Sequence, residues 1–246
     1  MSQENSILVS VENVGICYQR MLRRSAGYWA LKDVSFTIKR GETIGIIGGN
    51  GAGKSTLLRL LAGIISPDKG QISIPPSIRT QLLALQVGFD RDLSGRDNII
   101  YSGMLLGKSR KEMHGLLDEI IAFADIGEFI HENVRTYSTG MCARLGFAIS
   151  SNLSPDILLI DEVLGVGDSA FKEKSSTLLK ERIASDQTVV LVSHQHDTLQ
   201  ELCDRLVWIE DGVSLQQGDP ETVYAAYTAS MNEKISASNS ANTSNA

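Results

Sequence analysis

Two stretches near the N-terminus alternate apolar and polar positions, ILVSVENV from Ile7 and ALKDVSFTIK from Ala30, and read as strands with one face inward. Leu31, Val34, Phe36 and Ile38 are the expected core positions of the second. Between them QRMLRRSAGYW (19–29) is basic and aperiodic, which predicts a loop carrying Arg20, Arg23 and Arg24. ETIGIIG (42–48) is a short continuous apolar strand, and KSTLLRLLAGI (54–64) has helical spacing. QISI (71–74) and RTQLLAL (79–85) are further strands.

Near residue 89 the period changes and stays helical to about residue 152. Ser109 and Glu112 have capping-box spacing, and Leu116, Leu117, Ile120, Ile121 and Ala124 form a stripe after them. A helical block between β-rich flanks predicts an inserted subdomain. DILLID (156–161) and QTVVLVSH (187–194) are buried strands joined through the crossover helix SAFKEKSSTLLKERI (169–183), as parallel pairing requires. DRLVWIEDGVSLQQG (204–218) is a strand pair turning at Asp211-Gly212, and DPETVYAAYTAS (219–230) is a helix with Pro220 in its first turn. The expected folded unit is 1–228, with 229–246 a polar, disordered tail.

Composition narrows this picture. A hydrophobic content of 42% supplies a core, and no apolar run approaches the roughly 18 residues of a membrane span. MSQENSILVS lacks the pattern of a secretory signal. Cys17, Cys142 and Cys203 are few and widely spaced, which fits a reducing compartment and argues against a disulfide framework or a zinc site. A net charge of −6 gives no pull toward nucleic acid.

The chemistry concentrates in three places. GGNGAGKST (48–56) fits G-x-x-x-x-G-K-[ST] between a strand and a helix, with Gly48, Asn50, Gly51, Ala52, Gly53, Lys54, Ser55 and Thr56 around phosphate oxygens. Lys54 is expected at the β- and γ-phosphates and Ser55 on Mg²⁺. ILLIDE (157–162) ends a strand in Asp161, a carboxylate for Mg²⁺, with Glu162 as the candidate general base. His194 ends the next strand and is placed to donate to the γ-phosphate; His196 is the weaker choice. YSTGM (137–141) then puts Ser138 and Gly140 at the start of another helix, a second phosphate-facing terminus.

Glycine loop, helical insert, YSTGM, ILLIDE and SH, in that order, resemble the ATP-binding subunit of an ABC transporter. The resemblance implies an α/β phosphate-loop cassette with a mostly parallel core sheet, an antiparallel β subdomain and the inserted helical subdomain. It also implies a homodimer in which each YSTGM helix faces the ATP held by the partner, and a separate integral-membrane permease. Tyr18 falls at the family's adenine-stacking aromatic, with Trp29 the alternative, and Asp168 at the aspartate of the dimer seam. Gln86 stands near the family's Mg²⁺-sensing glutamine, although the count points to Leu85.

WALKDVSF, VGFDRDLSGRDNI, YSTGM, VLGVGDSAFKEK and LCDRLVWIEDG are similar in particular to the ATPases that export O-antigen, capsule or teichoic acid. GVGD lacks the usual serine, and its Gly165 and Gly167 imply a more mobile seam. This branch implies a lipid-linked polysaccharide as cargo and a peripheral position on the cytoplasmic face of the inner membrane. Only a short polar stretch follows Tyr227, so the expectation is no carbohydrate-binding domain in this chain. The basic loop is either a solvated surface loop or lies near anionic lipid or the pyrophosphate of the lipid-linked carrier. A drug or lipid as cargo remains the alternative, as does an ABC ATPase outside transport; a single cassette, no sustained heptads and an acidic balance disfavour the last.

Overall fold

The computed structural model describes residues 6–19, 27–83, 88–161 and 168–243. Five strands form the parallel core: β3 (Thr43–Ile47), β5 (Thr80–Leu83), β6 (Ile157–Asp161), β7 (Thr188–Val192) and β8 (Arg205–Glu210). An antiparallel wing holds β1 (Ile7–Tyr18), β2 (Tyr28–Lys39) and β4 (Lys69–Ser73). β9 (Val213–Gly218) joins the two, antiparallel to β8 and bridged to β2 at Asp33 and Val213. The described strands run in the order β4-β1-β2-β9-β8-β3-β7-β6-β5.

The central strands are apolar throughout because both of their faces are covered. Along β6, Ile157 and Leu159 point into one core with Leu57, Leu58 and Leu61 of α1 (Lys54–Leu61). Leu158 and Ile160 point into the opposite core, with Phe171 and Leu179 of α5 (Ser169–Ile183) and Leu199 of α6 (His196–Leu202). The period of two in the strand thus sorts its side chains between two helical layers.

Between β5 and β6 the chain builds a helical unit from α2 (Gly95–Leu105), α3 (Arg110–Ala124) and α4 (Thr139–Ser151). It has its own core of Ile99, Met113, Leu117, Ile120, Ala124, Leu145 and Ile149. The Ser109–Glu112 capping box starts α3 as its spacing predicts: Glu112 N donates to Ser109 Oγ at 3.2 Å and Ser109 N to Glu112 Oε2 at 2.8 Å. Phe123, Phe147 and Phe171 pack ring to ring at 5.7–5.9 Å and tie this unit to the main sheet.

Two elements depart from the sequence reading. α6 follows β7 directly, where the pattern showed only a strand end. The last helix, α7 (Pro220–Thr243), continues past residue 228 through the stretch expected to be disordered. Residues 229–243 contain neither Gly nor Pro, so nothing in them stops a helix once packing has started it. Among the described residues no helix is long and apolar enough to cross a membrane.

Candidate nucleotide site

Strand register sets the floor of the site. Ile46 pairs with Val192, and Val192 with Asp161, so the C-terminal ends of β3, β7 and β6 are level. The loops leaving these three ends meet at one crevice, where ligands of open α/β sheets bind. A cleft of about 320 Å³ lies there, lined by Asn50 to Thr56, Asp161, Val192, His194 and the aromatics Tyr18 and Tyr28.

Gly53 holds φ at +100° and lies under β2. A side chain there would strike Leu31 and come within 2.6 Å of the Ala30 carbonyl, so the loop needs glycine for both its conformation and its clearance. At Gly48 a Cβ would collide with the Ile209 carbonyl. α1 begins at Lys54 with no side-chain cap, which leaves the first N–H groups of the helix for an anion. The Lys54 side chain is buried, and its Nζ donates to the carbonyls of Gly48 at 2.7 Å and Gly49 at 3.0 Å. The loop's own backbone therefore aims the ammonium across the cavity it encloses. Ser55 and Asp161 bring a hydroxyl and a carboxylate to the same cleft, a hard-oxygen donor set that suits Mg²⁺.

Tyr18 and Tyr28 stand opposite each other in the β1–β2 register and both reach the cleft. The Tyr28 hydroxyl donates to the Gly51 carbonyl at 3.3 Å. Trp29, one residue on, is not among the lining residues, and its ring lies over Gly15. Sequence reasoning missed Tyr28 because it counted residues 19–29 as loop. The strand period would have found it, since Tyr28 and the cleft residue Ala30 are two apart.

His194 lies beyond the end of β7 and lines the cleft. His196 does not; it opens α6 and its ring sits 4.1 Å from that of Tyr224. Glu162, Gln86 and the glycines of GVGD lie outside the described residues, as do Arg20, Arg23 and Arg24.

The YSTGM helix does not join this cleft. Ser138 caps α4, its Oγ accepting from Met141 N at 3.2 Å, and Ser138, Thr139 and Gly140 are exposed. Behind them Tyr137 is anchored, its hydroxyl donating to the Phe129 carbonyl at 2.6 Å, and burial pushes its pKa up to about 12. Asp168 caps α5 by accepting from Phe171 N at 3.0 Å and pairs with Arg144 at 2.6 Å. The Phe171 N–H, against an opposing desolvation and with help from the Arg144 charge and hydrogen bond, holds its carboxyl below the ordinary range.

A glycine loop at the end of a central parallel strand, with an acidic strand end beside it, defines an α/β phosphate-loop protein. The profile of the ABC transporter family matches residues 31–165, and the chain belongs to that family. It is 46% identical over 209 residues to the O-antigen export system ATP-binding protein RfbB of Myxococcus xanthus, covering 85% of this chain and 48% of that one. It is 42% identical over 210 residues to RfbB of Klebsiella pneumoniae, covering 85% of each. Similarity to the teichoic acids export ATP-binding protein TagH of Listeria innocua is 42% over 205 residues, covering 83% and 61%. The chain thus spans about half the length of the Myxococcus relative and most of the Klebsiella one. In fold it matches the ATP-binding cassette MJ0796, solved as a dimer bound to ADP and Pi, with a TM-score of 0.70 at 24% identity, covering 86% of this chain and 98% of that one.

Proposed function

We propose that this chain is the ATP-hydrolysing motor subunit of an exporter for a lipid-linked cell-surface polysaccharide. One observation carries the ATPase part: Lys54, Ser55, Asp161 and His194 line one cleft at the level ends of three parallel strands. The names of the relatives support the cargo, since O-antigen and teichoic acid are both cell-surface polymers.

In this reading the N–H groups of the glycine loop and Lys54 hold the phosphates, and Tyr18 and Tyr28 flank the base. Ser55 and Asp161 would hold Mg²⁺, with Gln86 as a further contact; the ion would offset the charge that builds on the phosphates. Glu162 takes the proton of the attacking water, and His194 donates to the γ-phosphate from the facing strand end. Ser138 and Gly140, exposed and away from their own cleft, serve the ATP of a second copy, with Asp168 at the seam between the two. Loss of the γ-phosphate removes what the α4 terminus attracts, and the dimer opens.

The permease has a docking surface in the groove of about 500 Å³ between the edge strand β5, the C-terminal end of α2 and the segment after α1. Ile64 and Leu105 line it at 62% and 57% exposure, and Tyr101 and Met104 are exposed on the same helix as Leu105. An apolar rim of this size suits a helix presented at the cytoplasmic face of the inner membrane.

The test is a gel of surface and intracellular glycans from the host lacking this gene, complemented with wild type or with Glu162→Gln. Long-chain surface glycan should vanish on deletion and return with wild type alone. Unchanged glycans would remove the polysaccharide reading.

A further inference from the structure

Glu210 ends β8 directly behind the phosphate loop. Its carboxylate lies 3.9 Å from where a side chain on Gly49 would begin, and the preceding carbonyl of Ile209 packs against Gly48. Two donors hold it. Trp208 Nε1 reaches one oxygen at 3.1 Å, and Lys234 Nζ reaches the other at 2.6 Å. Burial works against ionisation here, but Lys234, Trp208 and the positive charge of Lys54 outweigh it, so the carboxyl is held below its ordinary range. The Glu210 side chain is 15% exposed, so water screens it poorly.

Lys234 comes from the part of α7 beyond residue 228. The helix is held in place upstream, where Tyr227 packs edge-on to Trp208 at 5.8 Å and Tyr224 packs on His196. One carboxylate therefore pairs with the ammonium on α7 and lies near Gly49, whose carbonyl accepts from Lys54 inside the nucleotide cleft. Without Lys234, a poorly screened negative charge would stand behind the phosphate loop and oppose the field that attracts a polyphosphate.

We propose that Lys234 tunes nucleotide affinity through Glu210, making the C-terminal helix part of the electrostatics of the phosphate site. Lys234 is a positioning residue that neutralises Glu210 and leaves the charge of Lys54 to the nucleoside triphosphate. The inference rests on the reading of residues 48–56 as the ATP site.

Mg-ATP affinity is measured by calorimetry on the full chain, for wild type, Lys234→Ala, Lys234→Arg, Glu210→Gln and the double variant Lys234→Ala/Glu210→Gln. Lys234→Ala should bind roughly three- to tenfold more weakly, by an amount that shrinks as salt is raised. Lys234→Arg should match wild type, and Glu210→Gln should bind at least as tightly. The double variant should match Glu210→Gln, because the lysine has nothing left to neutralise. Wild-type affinity in Lys234→Ala overturns the proposal. So does a double variant as weak as Lys234→Ala, which would mean that α7 acts by packing. Lys54→Ala separates the underlying reading: if wild type and Lys54→Ala bind alike, the ATP site itself is misplaced.

Discussion

Lys54 is a charged side chain at 8% exposure, and its environment explains how that is tolerated. Carbonyls of Gly48 and Gly49 accept from it, so the ammonium keeps hydrogen-bond partners while facing a cavity. This much was legible in the sequence, because the glycine spacing and the lysine are one motif. Of the two tyrosines lining the cleft, Tyr18 falls at a position the resemblance pointed to, whereas Tyr28 was not legible, since only its pairing with Tyr18 across β1 and β2 brings it there. Tyr28→Ala should weaken ATP binding by about 1 kcal/mol, roughly fivefold, through lost ring contact. Trp29→Ala should leave affinity within a factor of two or so, since surface changes away from a site have little effect. Equal losses in a nucleotide titration would instead place the base against Trp29.

Among the elements, α4 decides whether the chemistry needs a partner. Its first turn is capped by Ser138, anchored behind by Tyr137, and faces solvent in the single chain. Ser138→Arg should therefore spare ATP binding to the isolated chain and abolish turnover, since the added bulk and charge would stand where a partner's phosphate must approach. Normal turnover in that variant would reduce YSTGM to a helix cap. Strongly patterned elements such as α3 and β6 were readable because period and cap agree. α6 was not, because its seven residues are too few to show a helical period. The end of α7 was misread because its small polar residues look like a tail, whereas Lys234 reaching Glu210 helps to hold it on the sheet.

At the scale of the molecule, one sheet carries every part of the cleft from residue 18 to residue 194. The mostly parallel core was legible from continuous apolar strands separated by a crossover helix. The order of strands across the wing was not, since β2 meets β9 through a single bridge that no local pattern encodes. The arrangement leaves Ser138 and Gly140 outside the cleft of their own chain, and this has a consequence for cells that make a defective copy. If every working site is shared between two molecules, an inert molecule does more than fail to contribute; it spoils whichever good one it meets. Mixing equal amounts of wild type and the double variant Lys54→Ala/Ser138→Arg should leave hydrolysis at about a quarter of the all-wild-type rate, because a mixed pair then has no site with both halves intact. A simple halving in that mixing assay would show that each molecule works alone.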